Sequence, residues 1–346
     1  MSGPIDRTAS VRYLLDAFAR PYLDDDSITE ICVNRPHEVY CLSSCWQRHE
    51  VRVDQNHLES LALSVARFVG DDLSDTRPIL SAILPDGERI QIVRPPACEH
   101  GTVSVTIRKP STTILTLEQY QSQGLFDHLQ PVHAALTPDE SNLIAIKERG
   151  DVRNFLIEAV RLGKVMVIAG ETNSGKTTLM KALMRQIPAS QRIITIEDVP
   201  ELFLPLHPNH VHLFYQAASA DAASSEVTAT ALLKCSLRMN PDRIMLAELR
   251  GGETYDFLNV AASGHGGSIT SCHAGSCELA FERMALMVLQ NSQGQALPYA
   301  VIKRLLMLTV DVVVHMNNEM GGRGRYISEI WYEPMARRRG GSEMSV

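Results

Sequence analysis

A single eight-residue stretch limits what this chain can fold into. Residues 170–177 read Gly-Glu-Thr-Asn-Ser-Gly-Lys-Thr and match the phosphate-binding pattern G-x-x-x-x-G-K-[ST]. A continuous apolar run, residues 164–169, precedes this stretch, and residues 177–184 carry apolar side chains at helical spacing. Because a strand, a loop and a helix follow one another, backbone N–H groups and a helix N-terminus can face one phosphate. The sequence therefore predicts a parallel, nucleotide-binding α/β core.

The residues of this loop have distinct predicted roles. Gly170 and Gly175 let the backbone curl, while Lys176 supplies positive charge to the β- and γ-phosphates. The hydroxyl of Thr177 is a ligand for Mg²⁺. Asn173 stands where such loops often carry glycine, and asparagine tolerates left-handed backbone angles. We therefore expect ATP with Mg²⁺, and we assign nucleotide binding to Gly170, Glu171, Thr172, Asn173, Ser174, Gly175, Lys176, Thr177 and Thr178.

Two carboxylates follow the next apolar strand. Residues 192–198 end in Glu197 and Asp198, and ligands of parallel sheets bind where the strands end. Both acids are therefore candidates to hold Mg²⁺ or its waters, and Glu197 is also a candidate to polarise the attacking water. The alternative is a pair of surface acids with no role in the chemistry.

A second apolar strand, residues 243–250, carries the predicted catalytic base. In nucleotide hydrolases the strand beside the phosphate loop ends in an acid that binds Mg²⁺ or orients water. Glu248 fits this role, whereas Ala247 stands where an aspartate is usual. Metal contact is then left to Thr177 and the earlier acids.

Residues 264–274 form a glycine-rich box with two histidines. Glycines beside His265 allow close approach of the backbone to a ligand, and His273 ends the next short strand. Both imidazoles are predicted to sense the γ-phosphate. A zinc site formed by these histidines with Cys272 and Cys277 is the alternative, but the spacing matches no common zinc pattern.

Composition excludes several classes of protein. The 346 residues carry a formal net charge of −7, whereas non-specific nucleic-acid binding needs a basic face; the run Arg337–Arg339 reads as a solvated tail. No apolar run approaches the roughly 18 residues of a membrane helix, and the first residues lack the apolar core of a signal peptide. The seven cysteines contain no C-x-x-C pair. These features predict a cytoplasmic protein with reduced thiols.

The pattern of elements predicts two domains. Residues 1–124 mix short strands with helices in an α+β pattern, residues 125–150 form a linker that ends in a helix, and residues 151–346 form the nucleotide-binding domain. The segments predicted in the first domain are helices at 10–24 and 57–69 and strands at 28–34, 38–41, 50–53, 89–93 and 102–108. Strands and helices then alternate to about residue 315.

The motifs together resemble the type II/type IV secretion ATPase superfamily, and within it the Vir-type ATPases of type IV secretion systems. The resemblance extends over residues 15–335. The segments that carry it are the phosphate loop at 170–177, the acidic box at 194–198, the strand at 244–250, the histidine box at 263–274, and the N-terminal segments 28–36, 84–93 and 105–110.

This resemblance implies a RecA-like C-terminal domain and a homohexameric ring, peripheral to the cytoplasmic face of the inner membrane. The implied partners are other type IV secretion ATPases and inner-membrane components of the apparatus. Two N-terminal arginines of such ATPases reach the γ-phosphate, and they correspond here to Arg89 and Arg108. Positive groups at the transferring phosphoryl group stabilise its developing charge.

Three other functions stay open at this stage. Pilus-assembly and type II secretion ATPases share the motifs, although many of them carry a four-cysteine zinc insert that is absent here. A nucleotide-gated scaffold would bind ATP without needing Glu248 or the two arginines. A nucleic-acid translocase with the same core is disfavoured by the net charge of −7.

Overall fold

The computed structural model describes residues 7–111, 113–129, 135–216 and 227–335. The basic run at 337–339 and part of the predicted linker, residues 130–134, lie outside the described residues. None of the described helices is both long enough and apolar enough to cross a bilayer.

The N-terminal part of the chain forms a six-stranded antiparallel sheet of order β3-β2-β1-β6-β5-β4. Its strands are β1 (Glu30–Val33), β2 (Glu38–Leu42), β3 (Trp46–Glu50), β4 (Ile79–Ile83), β5 (Arg89–Val93) and β6 (Ser104–Arg108). Helices α1 (Arg7–Asp16) and α3 (Gln55–Val69) bury apolar side chains in the core of this sheet. The predicted helix at 57–69 is confirmed; Asp54 caps its start, and Gly70 ends it with φ of 73°.

Two predicted elements of this part were wrong. The single helix at 10–24 is broken into α1 and the short α2 (Arg20–Leu23), because the ring of Pro21 clashes with the carbonyl group four residues earlier in a continuous helix. The strand at 50–53 lies instead at Trp46–Glu50. Its pairing with β2 ends where Glu50 lies opposite Glu38, the first residue of β2. The backbone turns just before β2, where His37 has a left-handed φ of 67°.

The C-terminal part forms a seven-stranded sheet of order β13-β12-β7-β11-β10-β8-β9. All neighbouring strands are parallel except the edge pair β12 and β13. The strands are β7 (Met166–Gly170), β8 (Ile193–Glu197), β9 (His210–Phe214), β10 (Arg243–Leu249), β11 (Ile269–Cys272), β12 (Val312–Glu319) and β13 (Gly324–Trp331). The predicted alternation of strands and helices is interrupted where β9 follows β8 with no described helix between them, and β13 lies beyond residue 315.

Helices cover both faces of the parallel sheet. One apolar core lies under α5 (Pro138–Glu148), α6 (Val152–Arg161) and α7 (Lys176–Met184). The other lies under α8 (Ala229–Ser236), α9 (Glu253–Ala262), α10 (Cys277–Val288) and α11 (Tyr299–Thr309). Two further short helices are α4 (Leu117–Ser122) and a 3₁₀ turn (Gly294–Ala296). Leu143 and Ile146 of α5 are buried in the first of these cores, so the end of the predicted linker packs with the parallel sheet.

The two sheets contact each other along β9. The backbone N–H of Phe214 donates to the carbonyl of Ala97 at 2.9 Å, which attaches the loop after β5 to this edge strand. At the start of β9, the buried guanidinium of Arg192 donates to the side-chain amide oxygens of Asn34 and Asn209, each at 2.6 Å. Each sheet lies entirely within one predicted domain; that the two domains are separate folding units stays a prediction.

Candidate active site

The phosphate loop lies at the carboxyl edge of the parallel sheet, between β7 and α7. Gly170 has φ of 156° and Gly175 has φ of 95°, and Asn173 has a left-handed φ of 63°. The prediction that asparagine adopts this conformation is therefore confirmed. A Cβ atom on Gly170 would lie 2.5 Å from the carbonyl oxygen of Met316, so this glycine is also required by the neighbouring strand.

The loop is held from outside by the edge hairpin of β12 and β13. Arg325 Nε donates to the carbonyl of Asn173 at 3.1 Å, and Asn318 Nδ2 donates to the same oxygen at 3.3 Å. Sequence reasoning missed both residues, because they follow the loop by about 150 positions and carry no motif of their own. The hairpin therefore fixes the tip of the loop.

Lys176 is folded back onto the loop. Its Nζ donates to the carbonyls of Gly170 and Glu171, each at 2.9 Å. Burial lowers the pKa of Lys176, and the nearby charge of Glu248 opposes that shift. The ammonium group thus lies close to the predicted base, and its present partners are weak backbone acceptors that a phosphate can replace.

Glu248 lies at the same edge between Arg250 and His273. Arg250 Nε donates to Glu248 Oε2 at 2.8 Å, and the same guanidinium pairs with Asp198. His273 Nε2 lies 2.8 Å from Glu248 Oε1, but the two atoms are not aligned as a hydrogen bond. Among the described residues Oε1 is therefore a buried oxygen that has His273 as its ion-pair neighbour but no aligned hydrogen-bond donor. Burial lowers the pKa of Arg250, but its bonds to Glu248 and Asp198 outweigh this and raise it overall.

Glu197 does not fit its predicted contact with metal or water. The residue is fully buried, and Oε1 accepts from Thr195 Oγ1 at 2.6 Å. Oε2 accepts from the backbone N–H groups of Glu201 and Leu202, each at 2.8 Å. Because both oxygens are held by protein donors, Glu197 positions the loop after β8, and Asp198 is the acid that faces Arg250 and Glu248.

The two histidines of the glycine-rich box lie at opposite edges of the sheet. His273 follows β11 at the carboxyl edge, whereas His265 precedes β11, where a Cβ on Gly266 would lie 3.1 Å from the carbonyl of Gly163 before β7. The four residues of β11 separate the two histidines by roughly 13 Å. His265 therefore lies away from the phosphate loop of its own chain, and its role as a sensor of the γ-phosphate stays a prediction. The same separation excludes a zinc site that combines His265 with Cys272.

A cavity of about 480 Å³ opens beside the phosphate loop. Glu171 and Thr172 line it on one side, and His273 and Arg283 line it on the other. Arg283 was not predicted, because it lies in the middle of α10 and reaches the site only through the packing of that helix. The exposed arginine adds positive charge beside a site for an anionic ligand.

Arg89 and Arg108 lie far from the phosphate loop of their own chain. They are directly paired across β5 and β6 and line a cleft of about 570 Å³ together with Leu237, Arg238 and Asn240. These three residues precede β10, so the cleft is at the amino edge of the parallel sheet. The seven residues of β10 separate it from the carboxyl edge by roughly 20 Å.

The cleft also contains a buried carboxyl group, Glu30. Arg108 Nε lies 3.5 Å from Glu30 Oε1, but Oε2 has no hydrogen-bond donor among the described residues. Burial raises the pKa of Glu30 to about 7, and the charges of Arg108 and Arg192 only partly oppose it. The folded state therefore holds this proton more tightly than the unfolded chain.

This raised pKa predicts how stability depends on pH. The contribution of Glu30 is fully favourable below its unfolded pKa and is lost as the pH rises through about 7. We expect Glu30→Gln to stabilise the protein by up to about 3 kcal/mol near pH 8 and to leave it unchanged near pH 4.5. Urea unfolding at both pH values measures this, with the exposed Glu50→Gln as control; equal effects at the two pH values would contradict the assignment.

Comparison with known proteins agrees with this geometry. A profile of the family described as type II/IV secretion system protein matches residues 16–319. The chain belongs to this family. It is 64% identical over 337 residues to the type IV secretion system protein VirB11 of Brucella abortus, with 96% of this chain and 93% of that protein covered. It is 46% identical over 330 residues to the PtlH homolog of Bordetella bronchiseptica, with coverage of 94% and 96%.

A solved structure confirms the fold. The crystal structure of the VirB11 ATPase from the Brucella suis type IV secretion system, in complex with sulphate, superposes with a TM-score of 0.92. The identity is 63%, and 97% of this chain and 98% of that chain are covered. The predicted family, the α/β fold with a RecA-like ATPase part, and the ATPase class of enzyme are therefore confirmed. The chain is a secretion ATPase.

Proposed function

We propose that this ATPase hydrolyses Mg²⁺-ATP at the carboxyl edge of the parallel sheet and drives a type IV secretion or conjugation apparatus as a homohexamer. One observation supports the catalytic part of this proposal. Glu248 presents an oxygen that has no aligned hydrogen-bond donor within the described part of the chain, at the edge where Lys176 and the phosphate loop lie. A protein that only binds nucleotide does not need a carboxylate arranged in this way.

The reaction follows from the residues at this edge. The loop N–H groups and Lys176 bind the β- and γ-phosphates, with Lys176 exchanging its two backbone carbonyls for phosphate oxygens. Water attacks the γ-phosphorus, its proton passes to Glu248 Oε1, and the bond to the β-phosphate oxygen breaks to release ADP and phosphate. His273, beside Glu248, is placed to respond when phosphate leaves.

Thr177 and Asp198 are the residues that fit magnesium. The hydroxyl of Thr177 lies at the start of α7, and Asp198 offers a carboxylate at the same edge, held by Arg250. Magnesium, when bound, neutralises charge on the β- and γ-phosphates. Glu197 has no free oxygen for this purpose, so its contribution is to fix the backbone that follows Asp198.

The position of the two N-terminal arginines supports a multimer. Arg89 and Arg108, on the antiparallel sheet, lie beside the amino edge of the parallel sheet of the same chain and cannot reach the phosphate loop of that chain. If they neutralise the transferring phosphoryl group, the nucleotide must belong to a second copy of the chain. A closed ring of identical copies satisfies this requirement for every site.

This arrangement predicts the outcome of a mixing experiment. The double variant Arg89→Ala/Arg108→Ala and the variant Lys176→Ala are each expected to be inactive in phosphate release. Mixed in equal amounts and reassembled, they are expected to recover about a quarter of the wild-type sites, because one site then combines an intact loop with intact arginines from its neighbour. No recovery in verified mixed oligomers would show that the arginines act within their own chain, and full activity of the double variant alone would show that they do not act at all.

Phosphate release by the purified chain tests the proposed function itself. Turnover that requires Mg²⁺ and ATP supports the motor, whereas tight nucleotide binding without turnover would support a nucleotide-gated scaffold. Stimulation of turnover by DNA would support a nucleic-acid translocase, which the net charge of −7 disfavours.

The proposed location is the cytoplasmic face of the inner membrane, as a peripheral protein beside other type IV secretion ATPases and inner-membrane components. The printed names of the Brucella and Bordetella relatives, which are type IV secretion system proteins, support this setting. Cell fractionation with co-purification of the apparatus tests it, and a protein recovered free of both membrane and apparatus would contradict it.

A further inference from the structure

Three side chains outside the nucleotide site converge where the two sheets meet. His210 and His212 lie two residues apart on β9, so they project from the same face of the strand. Glu99 lies in the loop that follows β5. One imidazole nitrogen from each histidine and one carboxylate oxygen lie within 4.8 Å of one another. The proposed hydrolysis does not use any of these three groups.

Both imidazoles are oriented as metal-binding histidines usually are. His210 Nδ1 lies 2.5 Å from the carbonyl of His207, to which it can only donate. His212 Nδ1 lies 2.7 Å from Thr195 Oγ1, and that hydroxyl donates its one proton to Glu197. Each Nδ1 therefore carries the ring proton, and each Nε2 presents a lone pair. A ring N–H donated to a carbonyl or, through a hydroxyl, to a carboxylate orients such ligands.

We propose that His210, His212 and Glu99 bind a divalent cation of the zinc class, with water completing the coordination. Two imidazoles and a carboxylate are ligands that suit zinc and not magnesium, which prefers oxygen atoms. Ligand atoms at about 2.1 Å from a zinc ion lie about 3.4 Å apart. The three ligand atoms, which lie within 4.8 Å of one another, therefore need to move only slightly closer together. Glu99 is partly exposed on its loop and can rotate to provide it.

The guanidinium of Arg35 competes for this site. Arg35 Nη2 lies 3.0 Å from His210 Nε2 and donates to its lone pair. The same guanidinium also has Glu38 Oε1 at 3.1 Å and the carbonyl of Pro208 at 3.3 Å as partners. Nη2 also donates to the backbone carbonyl of His210 at 3.4 Å. Because the bonds to Glu38 and Pro208 come from Nη1, the cation displaces only the contacts of Nη2 with His210 and not the whole side chain. Removing Arg35 should therefore strengthen binding.

The cation would join the two sheets. Glu99 belongs to the loop that pairs with β9 through Cys98 and Leu213, and the two histidines belong to β9 itself. A ligand that binds only the folded state raises the thermal unfolding midpoint in proportion to the logarithm of its concentration. The proposal therefore has a readout that is independent of nucleotide turnover.

The test uses the full chain without nucleotide and Zn²⁺ as the probe, titrated in competition with a chromophoric chelator. We expect one ion per chain and a raised unfolding midpoint, with no shift from equal Mg²⁺. The variants Glu99→Gln and His210→Ala should each weaken binding at least tenfold, and Arg35→Ala should tighten it several-fold. Glu99→Gln and Arg35→Ala change partly exposed groups, so they keep the test valid if a histidine variant fails to fold.

The exposed neighbour His100 supplies the matched control. His100→Ala should bind Zn²⁺ as the parent chain does. The proposal is overturned if the parent binds no stoichiometric Zn²⁺, if Glu99→Gln and His210→Ala bind as tightly as the parent, or if His100→Ala is the variant that loses binding, which would indicate adventitious chelation at the surface.

Discussion

Replacing Lys176 with alanine is expected to reduce ATP turnover by about 10³-fold or more, because the site loses the one positive charge that the loop itself brings to the β- and γ-phosphates. The loss should appear in kcat and, because ground-state phosphate contacts are also lost, in nucleotide affinity. Steady-state phosphate release together with fluorescent-nucleotide binding measures both. Secretion by cells that carry this variant should fail together with turnover.

Lys181 provides the control on the same helix. Its Nζ lies 5.7 Å from the centre of the Phe203 ring and makes no described contact with the loop. Lys181→Ala should therefore change turnover less than twofold. A Lys176→Ala enzyme that retains wild-type activity would refute the proposed mechanism, because phosphate would then be bound without the loop lysine.

Replacing Glu248 with glutamine is expected to leave ATP binding intact and slow turnover by roughly 10²- to 10⁴-fold, the range attributed to a positioned general base. Glutamine preserves the size of the side chain and an oxygen for Arg250, but it cannot accept the proton of the attacking water. Single-turnover phosphate release separates the chemical step from binding. The variant should accumulate bound ATP, which chromatography of the quenched complex detects.

Two results would separate this role from a structural one. Glu158→Gln alters a partly exposed carboxylate on α6 whose partner among the described residues is Arg161, and it should leave turnover unchanged. If Glu248→Gln bound ATP and hydrolysed it at the wild-type rate, Glu248 would merely hold Arg250 and His273 in place. Loss of ATP binding in that variant would likewise contradict its role as the base.

The local motifs were predictable because they depend on residues close together in sequence. The left-handed angle of Asn173, the helix that starts at Lys176 and the acids at the ends of β8 and β10 all follow from short segments. The surroundings of two predicted residues depend on contacts that no short segment contains. Glu197 is occupied by donors of the following loop, and His265 lies one strand length away from His273.

Other contributors could not be found from the sequence because their function depends on packing. Arg325 reaches the loop from an antiparallel edge hairpin, and Arg283 reaches the cavity from the middle of α10. The spacing of His210 and His212 in the sequence matches no recognised metal motif. Their proximity to Glu99, over 100 residues earlier, depends on the contact between β9 and the loop after β5.

The sequence alone determined that this chain binds a nucleoside triphosphate on a parallel sheet, because the phosphate loop, its strand and its helix are contiguous and their hydrogen bonds are local. Tertiary structure decided which edge of the sheet each remaining residue occupies. Residues before and after a strand are close in sequence but separated by its full length in space. For that reason Glu248 and His273 stand beside the phosphate loop, whereas His265 lies away from it. Arg89 and Arg108 lie away from it because the antiparallel sheet that carries them packs beside residues that precede β10.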